Sequence, residues 1–299
     1  MIKVTNLSKT FDGFKALDDA SITVEKGSIY GLVGPNGAGK TTLIKHLAGV
    51  YTPDGGEYTL DGNAIYENPG VKSKIIYIGD DLHFFPSYTI MDAAKLYKDI
   101  YPTWSDERFE SLKEIFKIDT KRKIRRLSKG MQKQVAFWLG VSTCPEVLIL
   151  DEPVDGLDPV MRRNVWKVVM QDVAEYGTTV LISSHNLREL EDVCDHVGIM
   201  HQGKVVLEKS LDDIKGNIHK LQLAFEGEYP EDIDKSINIL HKETTGRVHM
   251  LITKGNCKEI EEEINKFSPI ICDIIPLTLE EVFIYELGGM GYEFENILI

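Results

Sequence analysis

Residues 28–49 read SIYGLVGPNGAGKTTLIKHLAG, and their reading decides the fold. Residues 28–33 form an apolar run of the kind that lies buried on both faces of a parallel sheet. From Lys40 the apolar residues Leu43, Ile44 and Leu47 recur at helical spacing, and Gly49 supplies a stop. Between them GPNGAGKT, residues 34–41, fits the pattern GxxxxGK[ST]. Its glycines let the backbone curl, so that successive N–H groups and the helix N-terminus face phosphate. The expected cradle is Gly34, Asn36, Gly37, Ala38, Gly39, Lys40, Thr41 and Thr42, with Lys40 on the β- and γ-phosphates and the Thr41 hydroxyl on Mg²⁺.

Working outward, VLILD (147–151) and TTVLISSH (178–185) are two more buried-strand runs, separated by the helical stretch RRNVWKVVMQDVAEYG. Alternation of this kind predicts a mostly parallel sheet with helices on its faces. Residues 88–145 change to helical periodicity and read as a helical insertion, while the first 30 residues alternate as an antiparallel β edge. The expected fold class is therefore α/β, a phosphate-loop core with an antiparallel β edge and a helical subdomain. Past Lys215-Gly216-Asn217 the pattern predicts a small α+β domain: strand 220–226, helix 231–241, strand 247–253, helix 256–267, strand 270–275 and helix 279–287. The expected domains are thus 1–215 and 216–299, the latter ending in a glycine-punctuated loose tail, GGMGYEFENILI.

VLILDEP supplies acids to complement the phosphate loop. Asp151, at a buried strand end, suits Mg²⁺ or its water shell, and Glu152 suits the water that attacks the γ-phosphate. Composition narrows the partners. A formal net charge of −13 argues against a free-standing nucleic-acid binder, which needs a surplus of cations on one face. The one basic run, KRKIRR at 121–126, reads as a solvated helix end or loop. Cys144, Cys194, Cys257 and Cys272 lack metal or disulfide spacing and fit a reduced compartment as structural thiols. No apolar run reaches the roughly 18–20 residues a bilayer demands, so the chain is expected to be cytoplasmic and to meet a membrane through a partner.

LSKGMQKQ, residues 127–134, follows the helical insertion and precedes VLILDEP. In motif and order the chain resembles, over residues 2–215, the ATP-binding subunits of ABC transporters, whose signature is LSGGQ; Lys129 and Met131 depart from it, Ser128 and Gly130 do not. Ser128 is a good N-cap for a helix whose start can meet a γ-phosphate. The resemblance implies that this phosphate belongs to ATP on a second cassette, giving a two-fold dimer of ATP-binding subunits. It further implies that Phe11 stacks on adenine, with core packing as the alternative, and that Asp158 in DGLDP crosses the dimer interface. His185 in ISSHN would bond the γ-phosphate and the attacking water. Catalysis would then rest on Glu152, His185 and Lys40, with ATP and Mg²⁺ as cofactors.

Asp80, in IIYIGDDLHFFP, falls where the family has Gln or Glu, and the resemblance offers it as a metal ligand beside Thr41 and Asp151. Being one methylene shorter than Glu, it reaches less far. LHFFPSY (82–88) is then either a docking patch for an integral membrane transporter subunit or a plug in the core. The end LTLEEVFIYELGG resembles subunits of exporter type and those of Gram-positive antibiotic response. The implied function is ATP hydrolysis that powers a separate membrane subunit in export, at the inner face of the membrane. The competing readings are a soluble ABC-type ATPase acting on ribosomes or DNA, whose usual second cassette or long coiled-coil insertion is missing from this sequence, and a kinase, which leaves the signature helix unexplained.

Overall fold

The computed structural model describes residues 1–288, and for residues 214–216 and 286–288 the backbone alone. The tail GGMGYEFENILI lies outside the described residues apart from the backbone of Gly288. The chain divides into two compact units, one of residues 1–186 with 193–208, the other of residues 187–192 with those from 209 onward.

In the first unit the order is β1 (Ile2–Phe11), β2 (Phe14–Val24), β3 (Ile29–Val33), α1 (Lys40–Leu47), β4 (Gly55–Leu60), β5 (Asn63–Ala64), α2 (Pro69–Lys72), β6 (Ile75–Ile78), α3 (Ile90–Ile100), α4 (Asp106–Phe116), α5 (Lys129–Val141), β7 (Val147–Asp151), α6 (Pro159–Tyr176), β8 (Thr179–Ser184), β9 (His196–His201) and β10 (Lys204–Ser210). The six-stranded sheet runs β10-β9-β3-β8-β7-β6. Strands β9, β3, β8, β7 and β6 pair in parallel, and every residue of β3, β7 and β8 is buried, which is why those segments read as unbroken apolar runs. The antiparallel β edge of this unit is built from β1, β2, β4 and β5. They form a four-stranded sheet of their own, β2-β1-β4-β5, and one apolar core joins Val4, Leu17 and Ile22 of it to Leu32 of β3 and Leu43 of α1.

The register sets the site. Val33 of β3 stands beside Ser184 of β8, Ser183 beside Asp151 of β7, and Leu150 beside Ile78 of β6. The phosphate loop, Asp151, His185 and Asp80 therefore leave the sheet from the same end, the carboxyl edge where α/β sheets bind ligands.

Helices α3 to α5 make the insertion. Thr89 and Asp92 cap α3 reciprocally, and Ser105 caps α4 through the Arg108 N–H. Arg108 then anchors α4 to the core helix α6: it ion-pairs with buried Asp172, donates from Nε to the Val141 carbonyl at 3.1 Å, and lies 4.6 Å from the Tyr176 ring centroid. Arg108→Ala leaves a buried carboxylate without its cation. We expect a loss of about 3–5 kcal/mol, read by calorimetry as a fall in Tm of about 10 °C; an unchanged Tm would show that the pair contributes nothing.

The second unit carries α7 (Leu211–Asn217), β11 (Ile218–Ala224), α8 (Ile233–Ser236), β12 (Ile239–Thr245), β13 (Val248–Lys254), α9 (Cys257–Asn265), β14 (Ile271–Ile275) and α10 (Leu279–Gly288). Its sheet runs β12-β13-β11-β14, wholly antiparallel, with Leu221, Leu223 and Leu251 packed beside Ile260 and Ile264 of α9. Here the expected helix 231–241 is corrected. Only Ile233–Ser236 is helical, and Ile239–Thr245 is a strand. Thr244 and Thr245 lead into Gly246 at φ 63°, a tight turn that pairs Thr245 with Val248, so hairpin formation overrides the short helical pattern. All four cysteines are free thiols.

Candidate active site

The phosphate loop holds its shape through Gly39, which caps α1 at φ 106°. A Cβ there would stand 2.7 Å from the Ala16 carbonyl oxygen, so glycine alone fits. Lys40, 6% exposed, turns back along the loop and donates to the carbonyls of Gly34 (2.6 Å) and Pro35 (3.2 Å). Its Nζ lies 3.8 Å from Glu152 Oε1. Burial holds the ammonium below the usual lysine range, and the nearby Glu152 and Asp151 carboxylates oppose that shift.

The end of β7 supplies both acids, and the end of β8 holds them. Asp151 closes β7 and is buried, its Oδ1 taking a hydrogen bond from Ser183 Oγ on β8. Glu152 follows with φ 49°, a left-handed conformation that costs a non-glycine residue energy and that neighbours must sustain. Its N–H donates to the Ser183 carbonyl and Oγ, each at 3.2 Å. Its Oε2 lies 2.9 Å from His185 Nδ1. Desolvation raises the Glu152 carboxyl above its ordinary range; His185 and Lys40 pull it down, and Asp151 adds to the rise. A half-buried carboxylate with raised proton affinity beside a water-accessible cleft is suited to accept a proton.

A cleft of about 310 Å³ joins these groups. Asn36 to Thr42 of the loop wall one side, and Asp80, Asp151 and Glu152 the other. Gly34 lies just behind, its carbonyl held by Lys40. His185 is more than half exposed and touches the cleft through Glu152. Phe11 is not in the cleft wall. It packs edge-on to Tyr51 at 5.3 Å, with Lys9 over its ring, while Phe14, 65% exposed across the Asp12-Gly13 turn, lines the cleft.

Ser128 and Gly130 stand apart from the cleft at the start of α5. Ser128 Oγ accepts the Met131 N–H at 3.2 Å as the N-cap, and a Cβ on Gly130 would stand 3.0 Å from the Gly156 carbonyl, so the helix start is fitted closely to the loop after β7. Asp158 caps α6, accepting from the N–H groups of Val160 and Met161 at 3.0 Å each. Asp80 is ion-paired with Lys133 of α5 at 2.7 Å. Hard oxygen donors, the Thr41 hydroxyl and the buried Asp151 carboxylate, sit together in the cleft and fit Mg²⁺; Asp80 offers oxygen too, but Oδ1 is already held by a cation.

Ser183, Lys133 and Phe14 join the site beyond the residues expected from the sequence. The signal for Ser183 was present as a pair of serines ending an apolar strand. Lys133 gave none, because its partners come from two distant loops.

A glycine loop whose lysine reaches a carboxylate capable of general-base work is the machinery of phosphate-loop nucleoside triphosphatases. Helix α5, entering beside that carboxylate, specifies the ATP-binding-cassette kind. The ABC transporter family profile matches residues 17–155. The ATP-binding protein YtrB of Bacillus subtilis (strain 168) is 33% identical over 292 residues, spanning 97% of this chain and 99% of YtrB. The bacitracin transport ATP-binding protein BcrA of Bacillus licheniformis is 33% identical over 218 residues, 72% of this chain and 71% of BcrA. A solved ATP-binding subunit of an ABC transporter superposes with TM-score 0.67 at 28% identity, covering 72% of this chain and 92% of the other. An ATP-binding cassette of an ABC transporter in its ADP conformation gives 0.61 at 27% identity, covering 71% and 92%. The chain belongs to the ATP-binding subunits of ABC transporters, and its activity is the binding and hydrolysis of ATP. Among the described residues no helix is long and apolar enough to cross a membrane.

Proposed function

We propose that this chain hydrolyses ATP between two cassettes and drives a separately encoded integral membrane subunit in export, from the cytoplasmic face, with residues 1–215 as the ATP-binding domain and 216–299 as a second domain. The observation that carries the chemistry is the Lys40–Glu152–His185 chain of contacts at the carboxyl ends of β3, β7 and β8. The loop N–H groups and Lys40 hold the β- and γ-phosphates. Glu152 accepts a proton as water adds in line to the γ-phosphorus; the bond to the β–γ bridging oxygen breaks and ADP leaves with that electron pair. His185 keeps the Glu152 carboxylate aimed and donates to the γ-phosphate. Thr41 and Asp151 would hold Mg²⁺, which supplies charge neutralisation on the phosphate oxygens. Ser128 and Gly130 of the second cassette complete the γ-phosphate site through the α5 N-terminus. An aromatic beside the turn 12–13, Phe11 or Phe14, meets the adenine.

Support for a membrane partner comes from a groove of about 570 Å³ in which Val50 and Ile100, each more than half exposed, accompany Ile75, Tyr77 and Tyr101. Phe85, 58% exposed, adds apolar surface in the segment after Asp80. Exposed apolar surface of this kind fits a helix from a partner. Ile100→Asp should leave basal ATP hydrolysis intact and abolish its stimulation by the co-purified membrane subunit; stimulation at the wild-type level removes the groove from the interface.

The pH profile tests the proton acceptor. Activity requires ionised Glu152, so it should fall on the acid side at a pH above the ordinary carboxylate range, because desolvation raises that group. His185 opposes the rise, and its removal raises it further. The acid limb of kcat in His185→Ala should therefore move to higher pH, alongside a fall in kcat. A limb that stays in place, or moves down, contradicts the assignment.

A further inference from the structure

Lys133 lies one turn into α5, on the same face as Gly130, and its side chain is 12% exposed. Its ammonium has three acceptors: Asp80 Oδ1 at 2.7 Å, the Glu152 carbonyl at 3.1 Å and the Asp155 carbonyl at 3.1 Å. A lysine ammonium has three donors, so this one is fully used. The acceptors come from separate segments, the loop after β6 and the loop after β7. Glu152 is the residue whose left-handed backbone needs support; Ser183 grips its N–H, and Lys133 grips its carbonyl. The peptide on each side of Glu152 is thereby fixed, and with it the direction of the carboxylate. Asp80 lines both the phosphate cleft and a second cavity of about 340 Å³ beside α5, and Lys133 lines the second.

We infer that Lys133 is a positioning residue for hydrolysis, which ties the start of α5 to the Glu152 backbone so that what α5 contacts is relayed to the catalytic carboxylate, and that the Asp80 carboxylate serves Lys133 rather than the metal. The relay rests on the reading above, in which Ser128 meets the ATP of a second cassette. It links the two nucleotides through one chain: the helix start faces one ATP, and the carboxylate that Lys133 steadies faces the other. A partly buried cation held by a carboxylate and two carbonyls moves with its partners, so a shift of α5 and a shift of Glu152 are one motion.

Steady-state ATP hydrolysis by the full-length chain with its membrane subunit tests this. Lys133→Met should lower kcat about 10- to 100-fold, the loss expected when a catalytic group is misplaced by about 1 Å, with KM for ATP nearly unchanged. Lys133→Arg, which restores cation and donors, should recover most of the loss. The double variant Ser128→Ala/Lys133→Met should be no slower than Lys133→Met alone, since the helix contact acts through the lysine. Losses that multiply overturn the relay. Wild-type kcat in Lys133→Met overturns the assignment, and if Glu152→Gln in parallel is inactive, the reading of the site itself survives. Should Lys133→Met not fold, Asp80→Asn decides, since Asp80 is exposed. A lowered kcat with unchanged half-saturation by Mg²⁺ supports the pairing role; unchanged kcat, or a raised Mg²⁺ requirement, overturns it.

Discussion

Glu152→Gln is expected to slow ATP hydrolysis by roughly 10²–10⁴-fold, the usual contribution of a positioned general base, while leaving ATP affinity close to wild type. The substitution keeps the size of the side chain and removes its proton-accepting oxygen. Glu152 makes its contacts with Lys40 and His185, whereas the phosphate cradle is built of loop N–H groups that the change does not touch. The variant also loses the carboxyl whose proton affinity desolvation has raised. ATP that binds and is not cleaved should accumulate, and phosphate release measured beside equilibrium nucleotide binding separates the two effects. Turnover at the wild-type rate removes Glu152 from the chemistry.

Lys40→Ala should fail earlier, at binding. Lys40 is 6% exposed and lies in the cleft wall, so its bonds to phosphate oxygens are made away from bulk water. Loss of a charge-assisted bond of about 1.5–3 kcal/mol corresponds to roughly a 10- to 100-fold weaker Kd for ATP. A second effect adds to it. Lys40 is one of the groups that hold down the Glu152 pKa, so the carboxylate becomes still harder to ionise without it. Hydrolysis at saturating ATP should therefore fall as well, more steeply at low pH. Isothermal titration with ATP measures the first effect, and unchanged affinity would show that the loop amides alone hold the phosphates.

The nucleotide cleft was legible because its parts are local. Residues 33–42 carry the strand end, the loop and the start of α1 in one stretch, and VLILD and TTVLISSH announce fully buried parallel strands by their lack of alternation. Register then does the remainder, since adjacent parallel strands must deliver their ends to one edge. What the sequence hid is non-local or turn-dependent. Nothing in LSKGMQKQ marks Lys133 above its neighbours; its importance arises when Gly130 lets α5 approach the Gly156 carbonyl and brings the ammonium over two loops. Asp80 read as a metal ligand by position, and the structure gives its carboxylate a cation. Phe11 and Phe14 are equivalent aromatics flanking one tight turn, and strand pairing, not composition, puts Phe14 at the cleft. In the second unit, Ile233, Ile237 and Ile239 suit either period until the Thr245–Val248 turn selects the strand.

We propose that the phosphates of ATP lie in the cleft at the strand ends and are closed over by α5 of a second cassette. A crystal structure of Glu152→Gln with Mg-ATP measures it directly. The γ-phosphate is expected within hydrogen-bonding distance of Lys40 Nζ and His185, with Mg²⁺ on Thr41 and Asp151 and a signature serine from a second chain on the far side of that phosphate. Nucleotide bound outside the residues 34–42 cradle, or a γ-phosphate capped by Ser128 of the same chain, would contradict it.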